Sequence, residues 1–158
     1  MSPSFKQTIN IAAPAGLVWD SLTQARFMTE WMGEPGMEIG IETDWTVGGP
    51  IVVRGFHHLA FENIGVVLEF DLNKRLTYTY LSSLSQLPDE PENYTTLEFS
   101  LDSLGDTTSL SLVVDGFPTE TIFKHLQFYW GGTLEVLKRY VESRSSDKNC
   151  SGSIDLNA

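Results

Sequence analysis

The stretch from Thr119 to Val141, TETIFKHLQFYWGGTLEVLKRYV, decides the fold. Phe123, Gln127, Trp130, Leu134, Leu137 and Val141 recur at spacings of three and four, which lays them along one face of a helix. Gly116-Phe117-Pro118 precedes it, and the Thr119 hydroxyl can cap a helix expected to run to about Ser143. At 1.5 Å per residue such a helix is on the order of 35 Å long, whereas a strand of eight to ten residues spans roughly 26–33 Å. One helix can therefore lie along a whole sheet. Gly131-Gly132 interrupts its middle, at a cost of roughly 1 kcal/mol per glycine relative to alanine. The pair reads as close packing against a neighbouring strand or helix, or as space left for a ligand or a hinge.

Upstream, residues 35–114 carry strand patterns. Met37 to Thr43 and Trp45 to Val47 read as short strands before the turn Gly48-Gly49-Pro50. Ile51 to Arg54 is a β-branched run, and Asn63 to Asp71 alternates. After Asn73-Lys74-Arg75, the segment Leu76-Thr77-Tyr78-Thr79-Tyr80 holds its large residues on one parity. Tyr94 to Leu101 and Thr107 to Val114 complete the set, joined through Leu104-Gly105-Asp106, and Gln86 to Asn93 is a surface loop. At the other end of the chain, residues 5–11 alternate as a strand with Phe5, Ile9 and Ile11 on one face. Pro14 opens a helix carrying Leu17, Val18, Trp19 and Leu22, and a second short helix runs from about Ala25 to Met32. The order is strand, two short helices, about six antiparallel strands and one long helix. This is an α+β chain whose helix covers the apolar face of a curved sheet.

Composition narrows the function. The chain has 158 residues, with 21 acidic and 10 basic side chains for a net charge of −11. That balance disfavours nucleic acid, which needs clustered Lys and Arg, and a polybasic grip on lipid headgroups. Cys150 is the single cysteine and no Cys/His cluster accompanies it, so neither an internal disulfide nor a structural zinc site is expected. There is no signal-like stretch at the start and no run of about 20 apolar residues, so a cytoplasmic protein without a membrane span is expected. Residues 1–143 read as one domain and 144–158, rich in Ser, Asp and Asn, as a flexible polar tail.

Several motifs carry a resemblance. Ile9-Asn10-Ile11-Ala12-Ala13-Pro14 is followed by Val18-Trp19, Leu22-Thr23 and Trp31. Later come Val47-Gly48-Gly49, the pair Leu68–Asp71 and Leu76–Tyr80, Gly116-Phe117-Pro118, and Tyr129-Trp130-Gly131-Gly132-Thr133-Leu134 before Leu137-Lys138. In order and spacing they resemble the START-like (SRPBCC) helix-grip superfamily and, more narrowly, the heat-shock protein 90 ATPase activator-like family, over residues 5–142. The resemblance implies a curved antiparallel sheet of about six to seven strands wrapped around the C-terminal helix, and an apolar cavity between them. Within the superfamily such cavities take lipids, steroids, polyketides and other hydrophobic molecules.

The charges of Glu69 and Asp71 place Val66, Leu68 and Phe70 inward, with Tyr78, Tyr80 and Phe99 beside them and Phe123, Gln127, Trp130 and Leu134 facing them from the helix. Any one of these residues reads as packed core. As a set they are aromatic and include phenols and an amide that need partners, which favours a ligand cavity. The ligand-contacting set expected is Trp31, Val53, Leu68, Phe70, Tyr78, Tyr80, Phe99, Phe117, Phe123, Gln127, Trp130 and Leu134. His57-His58, near Arg54 and Glu62, reads as a polar loop, since neighbouring residues on a strand face opposite ways. No catalytic residue, metal ligand or cofactor is assigned. The leading expectation is a binder of a hydrophobic, aromatic or lipid-like small molecule. Its rivals are a cochaperone-like module that docks on a chaperone, and a cyclase or isomerase in which Arg54, Tyr78 and Tyr80 orient a carbonyl. A homodimer is a further expectation from the Met28, Met32 and Met37 cluster beside Phe27 and Trp31, should that patch be exposed.

Overall fold

The computed structural model describes residues 4–33 and 36–157; the side chains of His57 and of residues 147–157 lie outside that description. The chain opens with β1 (Ser4–Ile11), in which Phe5 and Ile11 are buried and the residues between them alternate. Pro14, extended at ψ 156°, stands just ahead of α1 (Ala15–Thr23). Gln24 ends α1 and caps α2 (Ala25–Trp31), so the two short helices share one corner residue. Six strands follow: β2 (Gly40–Glu42), β3 (Pro50–His57), β4 (Leu59–Asp71), β5 (Arg75–Ser82), β6 (Thr95–Ser103) and β7 (Thr108–Asp115). The last element is α3 (Glu120–Asn157), started by the Thr119 hydroxyl, which accepts from the Ile122 amide at 3.1 Å.

The fold is α+β, a seven-stranded antiparallel sheet in the order β1-β7-β6-β5-β4-β3-β2 with α3 across it. The two short helices carry the chain from one sheet edge to the other, after which a simple meander returns it. Side chains directly opposite one another, such as Leu76, Phe99 and Leu112, form the inner face. Leu126, Trp130, Leu134, Leu137 and Val141 of α3 pack over that face and the neighbouring helices. At the corner, Arg144 lies over the Phe27 ring at 3.6 Å and donates to Ser21 Oγ at 2.9 Å, fastening α3 to α1 and α2.

Four expectations change. Only Gly40–Glu42 of the segment 37–47 is a strand, because Glu38 (φ 53°) and Trp45 (φ 60°) adopt left-handed backbone that breaks extension. The inward parity of β4 is also different. Its pairing shifts register between Val67 and Glu69, so one extra residue, Leu68, bulges out. Val67 is then fully buried, Phe70 still faces inward, and Val66 and Leu68 are exposed. On α3 the buried position is Leu126 while Gln127 is exposed, because the inner face is rotated by one residue at that turn. Finally α3 continues past Ser143 to Asn157, running through Gly152 as it does through Gly131-Gly132, and no proline occurs after Pro118 to break it. Cys150 and most of the expected flexible tail fall where side chains lie outside the description.

Candidate functional site: the inner face of the sheet

Five of the expected side chains, Trp31, Phe70, Tyr78, Phe99 and Trp130, do meet on the inner face, held in a chain of ring contacts. Trp31 of α2 lies 6.3 Å from Trp130 of α3, Trp130 lies 5.7 Å from Phe99 of β6, and Phe99 lies 6.3 Å from Tyr78 of β5. Trp45 extends the chain from Tyr78 to Phe70 at 6.2 and 5.6 Å. Leu134 and Val53 are buried as expected, Val53 on the neighbouring strand β3. Phe117 and Phe123 are elsewhere: Phe117 stacks on Phe5 at 5.8 Å and Phe123 meets it edge-on at 6.1 Å, a separate cluster at the start of α3. Leu68 and Gln127 point outward and are not part of either group.

Backbone acceptors position the two indoles that tie the short helices to this face. Trp31 Nε1 donates to Ser21 O at 2.8 Å, and Trp45 Nε1 donates to Thr23 O at 2.6 Å. Met28 is buried under the same corner and Met32 is half-buried, so these two methionines serve the core.

The packed centre gives way to a half-buried polar margin toward β3 and β4. Tyr80 is half-buried there, two residues along β5 from Ser82, which stands opposite Asn63 of β4. Gly55 makes room for the Phe61 ring and Ile39, since an added Cβ would stand 2.7 and 2.8 Å from them. Asn63 Oδ1 is buried and has no hydrogen-bond partner among the described residues. Burial pushes the Tyr78 and Tyr80 hydroxyls well above the usual phenol range, and the neighbouring phenols, Tyr129 among them, add to the rise. Tyr129 rises for the same reason, while its hydroxyl donates to Met32 O at 2.5 Å. At neutral pH these three groups are uncharged hydroxyls. They can donate hydrogen bonds, and they are poor bases. Sequence reasoning missed Trp45, Asn63 and Tyr129. The alternation of Phe61, Asn63, Gly65 and Val67 was the available signal for Asn63.

The centre of the inner face is filled by contacting rings, where sequence reading expects an open cavity. Two concavities lie elsewhere on the described residues. One, of about 670 Å³, is bounded by polar side chains at the β4–β5 and β6–β7 turns, among them Glu69, Arg75 and Asp102. The other, of about 360 Å³, lies between β1 and α3. Arg54, considered above as a companion of Tyr78 and Tyr80, is on the opposite face of the sheet. There it pairs with Glu62 at 2.8 Å and with Glu42, which hold its guanidinium above the usual range. His58 takes the left-handed turn position (φ 64°) between β3 and β4. Among the described residues no group of three His, Cys, Asp or Glu side chains is placed to hold a metal ion, and no helix is long and apolar enough to cross a membrane.

Comparison with known proteins places this architecture. A protein of Cytophaga hutchinsonii solved in solution is 30% identical, with a TM-score of 0.74, over 91% of this chain and 97% of that one. A crystal structure from Chromobacterium violaceum has 21% identity and a TM-score of 0.76 over 88% and 96%. The Aha1 dimer of Colwellia psychrerythraea, solved in solution, has 19% identity and a TM-score of 0.69 over 89% and 96%. No curated protein matches the chain. The family model described as Activator of Hsp90 ATPase homolog 1-like protein matches residues 12–142. The chain therefore belongs to the Activator of Hsp90 ATPase homolog 1-like family of helix-grip proteins.

Proposed function

We propose that this protein binds a hydrophobic or aromatic small molecule on the inner face, between the sheet and α3, without covalent chemistry. The observation that carries the reading is the buried Asn63 Oδ1, an acceptor with no partner among the described residues, on the strand that pairs with the one carrying the buried phenols of Tyr78 and Tyr80. An unpaired buried carbonyl costs about 1–3 kcal/mol, and a ligand hydroxyl or N–H would remove that cost. Tyr80, half-buried and protonated, would donate to a ligand carbonyl or ether. The apolar body of the ligand would lie against the Trp31, Phe99 and Trp130 rings, displacing side chains that now touch one another. Such a site has the composition of small-molecule pockets, mostly apolar with a few fixed polar groups. The outward position of Arg54 and the protonated state of the phenols speak against the cyclase reading.

Native mass spectrometry after incubation with a library of fatty acids, sterols and polycyclic phenols tests the proposal. Retained compounds should carry both an apolar body and a hydroxyl or carbonyl, and Asn63→Leu together with Tyr80→Phe should abolish retention. Retention unchanged in that double variant would show that the inner face is not the site. The family descriptor supports a second reading, stimulation of a chaperone ATPase, which a steady-state ATPase assay with the purified chaperone measures. The dimeric Colwellia relative supports a homodimer for this chain as well.

A further inference from the structure

The two glycines in the middle of α3 leave space that no neighbouring group of the chain fills closely. A Cβ at Gly132 would meet nothing within 4 Å, and one at Gly131 would meet only Gln7 Nε2, at an ordinary 3.7 Å. Close packing within the protein therefore does not require either, although each weakens the helix by roughly 1 kcal/mol relative to alanine. One turn away, Phe128 is 85% exposed, a large ring standing in water. Beside Gly131 is the groove of about 360 Å³ between α3 and β1, whose walls include Gln7, Ile9 and Leu134. One helix thus presents an exposed ring and, one turn further on, a hole.

Glu120, Lys124, Phe128, Gly131, Glu135 and Arg139 are all exposed, and their spacings of 4, 4, 3, 4 and 4 residues read the same in both directions. The row extends about 28 Å at 1.5 Å per residue. Placed against a second copy running antiparallel about a two-fold axis between Phe128 and Gly131, it complements itself. Phe128 then faces Gly131, Lys124 faces Glu135, and Glu120 faces Arg139, each pair occurring twice. Within one copy Lys124 already meets Glu120 at 3.3 Å, so each end of the contact becomes an alternating array of four charges. Any other register loses this match: centring on Gly132, for example, brings Arg139 against His125.

We propose that the outer face of α3 is a self-association surface. Two copies pair antiparallel along it, with Phe128 of each entering the glycine hole and β1 groove of the other. The contact is isologous, as a closed two-fold dimer requires. A single helix face is smaller than the roughly 800 Å² per partner of stable complexes, so the dimer should dissociate on dilution through the micromolar range.

Sedimentation velocity of the full chain from 1 to 300 µM tests this. The expected result is a rise toward twice the monomer mass of 17.6 kDa across that range. Phe128→Glu, a change at an exposed position, should keep the protein monomeric throughout with an unaltered circular dichroism spectrum. Lys124→Glu and Glu135→Lys should each weaken association at least tenfold, and the double variant carrying both should recover it. A protein monomeric at 300 µM would overturn the proposal. So would a dimer indifferent to Phe128→Glu, or single charge reversals that the double variant fails to rescue. None of these readouts depends on a small molecule, so the result is independent of the ligand-binding reading.

Discussion

Replacing Asn63 by leucine should make the protein more stable and less able to bind. The Asn63 carbonyl is buried without a partner among the described residues, on a strand whose inward neighbour Val67 is fully apolar. Leaving such a group unpaired costs about 1–3 kcal/mol, and leucine has a similar size with no polar atom to satisfy. Allowing for imperfect shape, the gain should be about 1–2 kcal/mol, since non-isosteric core changes give part of it back. For a domain of this length that raises the melting temperature by roughly 3–6 °C. Urea unfolding of the ligand-free protein is the assay. The midpoint should rise with an unchanged slope, because the surface exposed on unfolding stays the same. Asn63→Asp is the complementary variant, with the same shape and an added charge at a buried atom position. It should be less stable than the parent at pH 7 and recover as the pH falls and the carboxyl takes up a proton, since burial raises its folded pKa. If Asn63→Leu is destabilised by 1 kcal/mol or more, the amide is paired in solution and the reasoning fails. The site would then lose its main polar anchor.

Other outcomes follow from the same geometry. Gly65→Ala should unfold the domain or cost more than about 3 kcal/mol, because its Cβ would stand 1.6 Å from the Thr79 carbonyl oxygen, a backbone atom that cannot yield. A soluble Gly65→Ala variant of near-parental urea midpoint would refute the β4–β5 pairing. Gly132→Ala points into open space and should add about 1 kcal/mol, read as a midpoint shift at protein concentrations below 1 µM; a loss would mean that the position is covered. Alkaline stability should fall. Tyr78, Tyr80 and Tyr129 have raised folded pKa values, so their contribution is constant below the unfolded phenol pKa near 10. Above it the unfolded chain loses protons first, and stability declines by about 1.4 kcal/mol per pH unit for each phenol that stays protonated. Absorbance at 295 nm should show these three ionising only as the protein unfolds. Half-buried Tyr94, pushed up to about 12 by its hydrogen bond to Asp89, should ionise separately from them.

Periodicity made most of the architecture readable. The alternation in β1, β5, β6 and β7 and the helical spacing from Leu134 to Val141 required no knowledge of partners, because one face of each element is simply apolar. The order of elements then left few topologies. Failures came where one residue resets the phase. The Leu68 bulge turns the second half of β4 over relative to the first, and a bulge has no obligatory sequence signature. Trp45 reads as a strand residue, yet it occupies a left-handed position whose cost is met by its indole bond to Thr23 and its stacking on Phe70. At the site, the aromatic identities were legible and their grouping was not. Phe117 and Phe123 share composition with the inner set but meet Phe5, because β1 lies at the edge that adjoins the start of α3. Asn63 is not legible in sequence, because a lone amide in an alternating strand looks like a surface residue until its face is known. The phenols could be named from sequence, but their suppressed acidity depends on burial that only the packed structure supplies.

The most direct test of the central claim is a crystal structure of the protein with a compound retained in the library screen. Density for the compound should lie between β4, β5 and α3, within hydrogen-bond distance of Asn63 Oδ1 and the Tyr80 hydroxyl. The Trp31 and Trp130 rings should have moved apart from their present 6.3 Å. A compound on the outer face of the sheet or in the β1–α3 groove, with Asn63 still unpartnered and the rings unmoved, would contradict it.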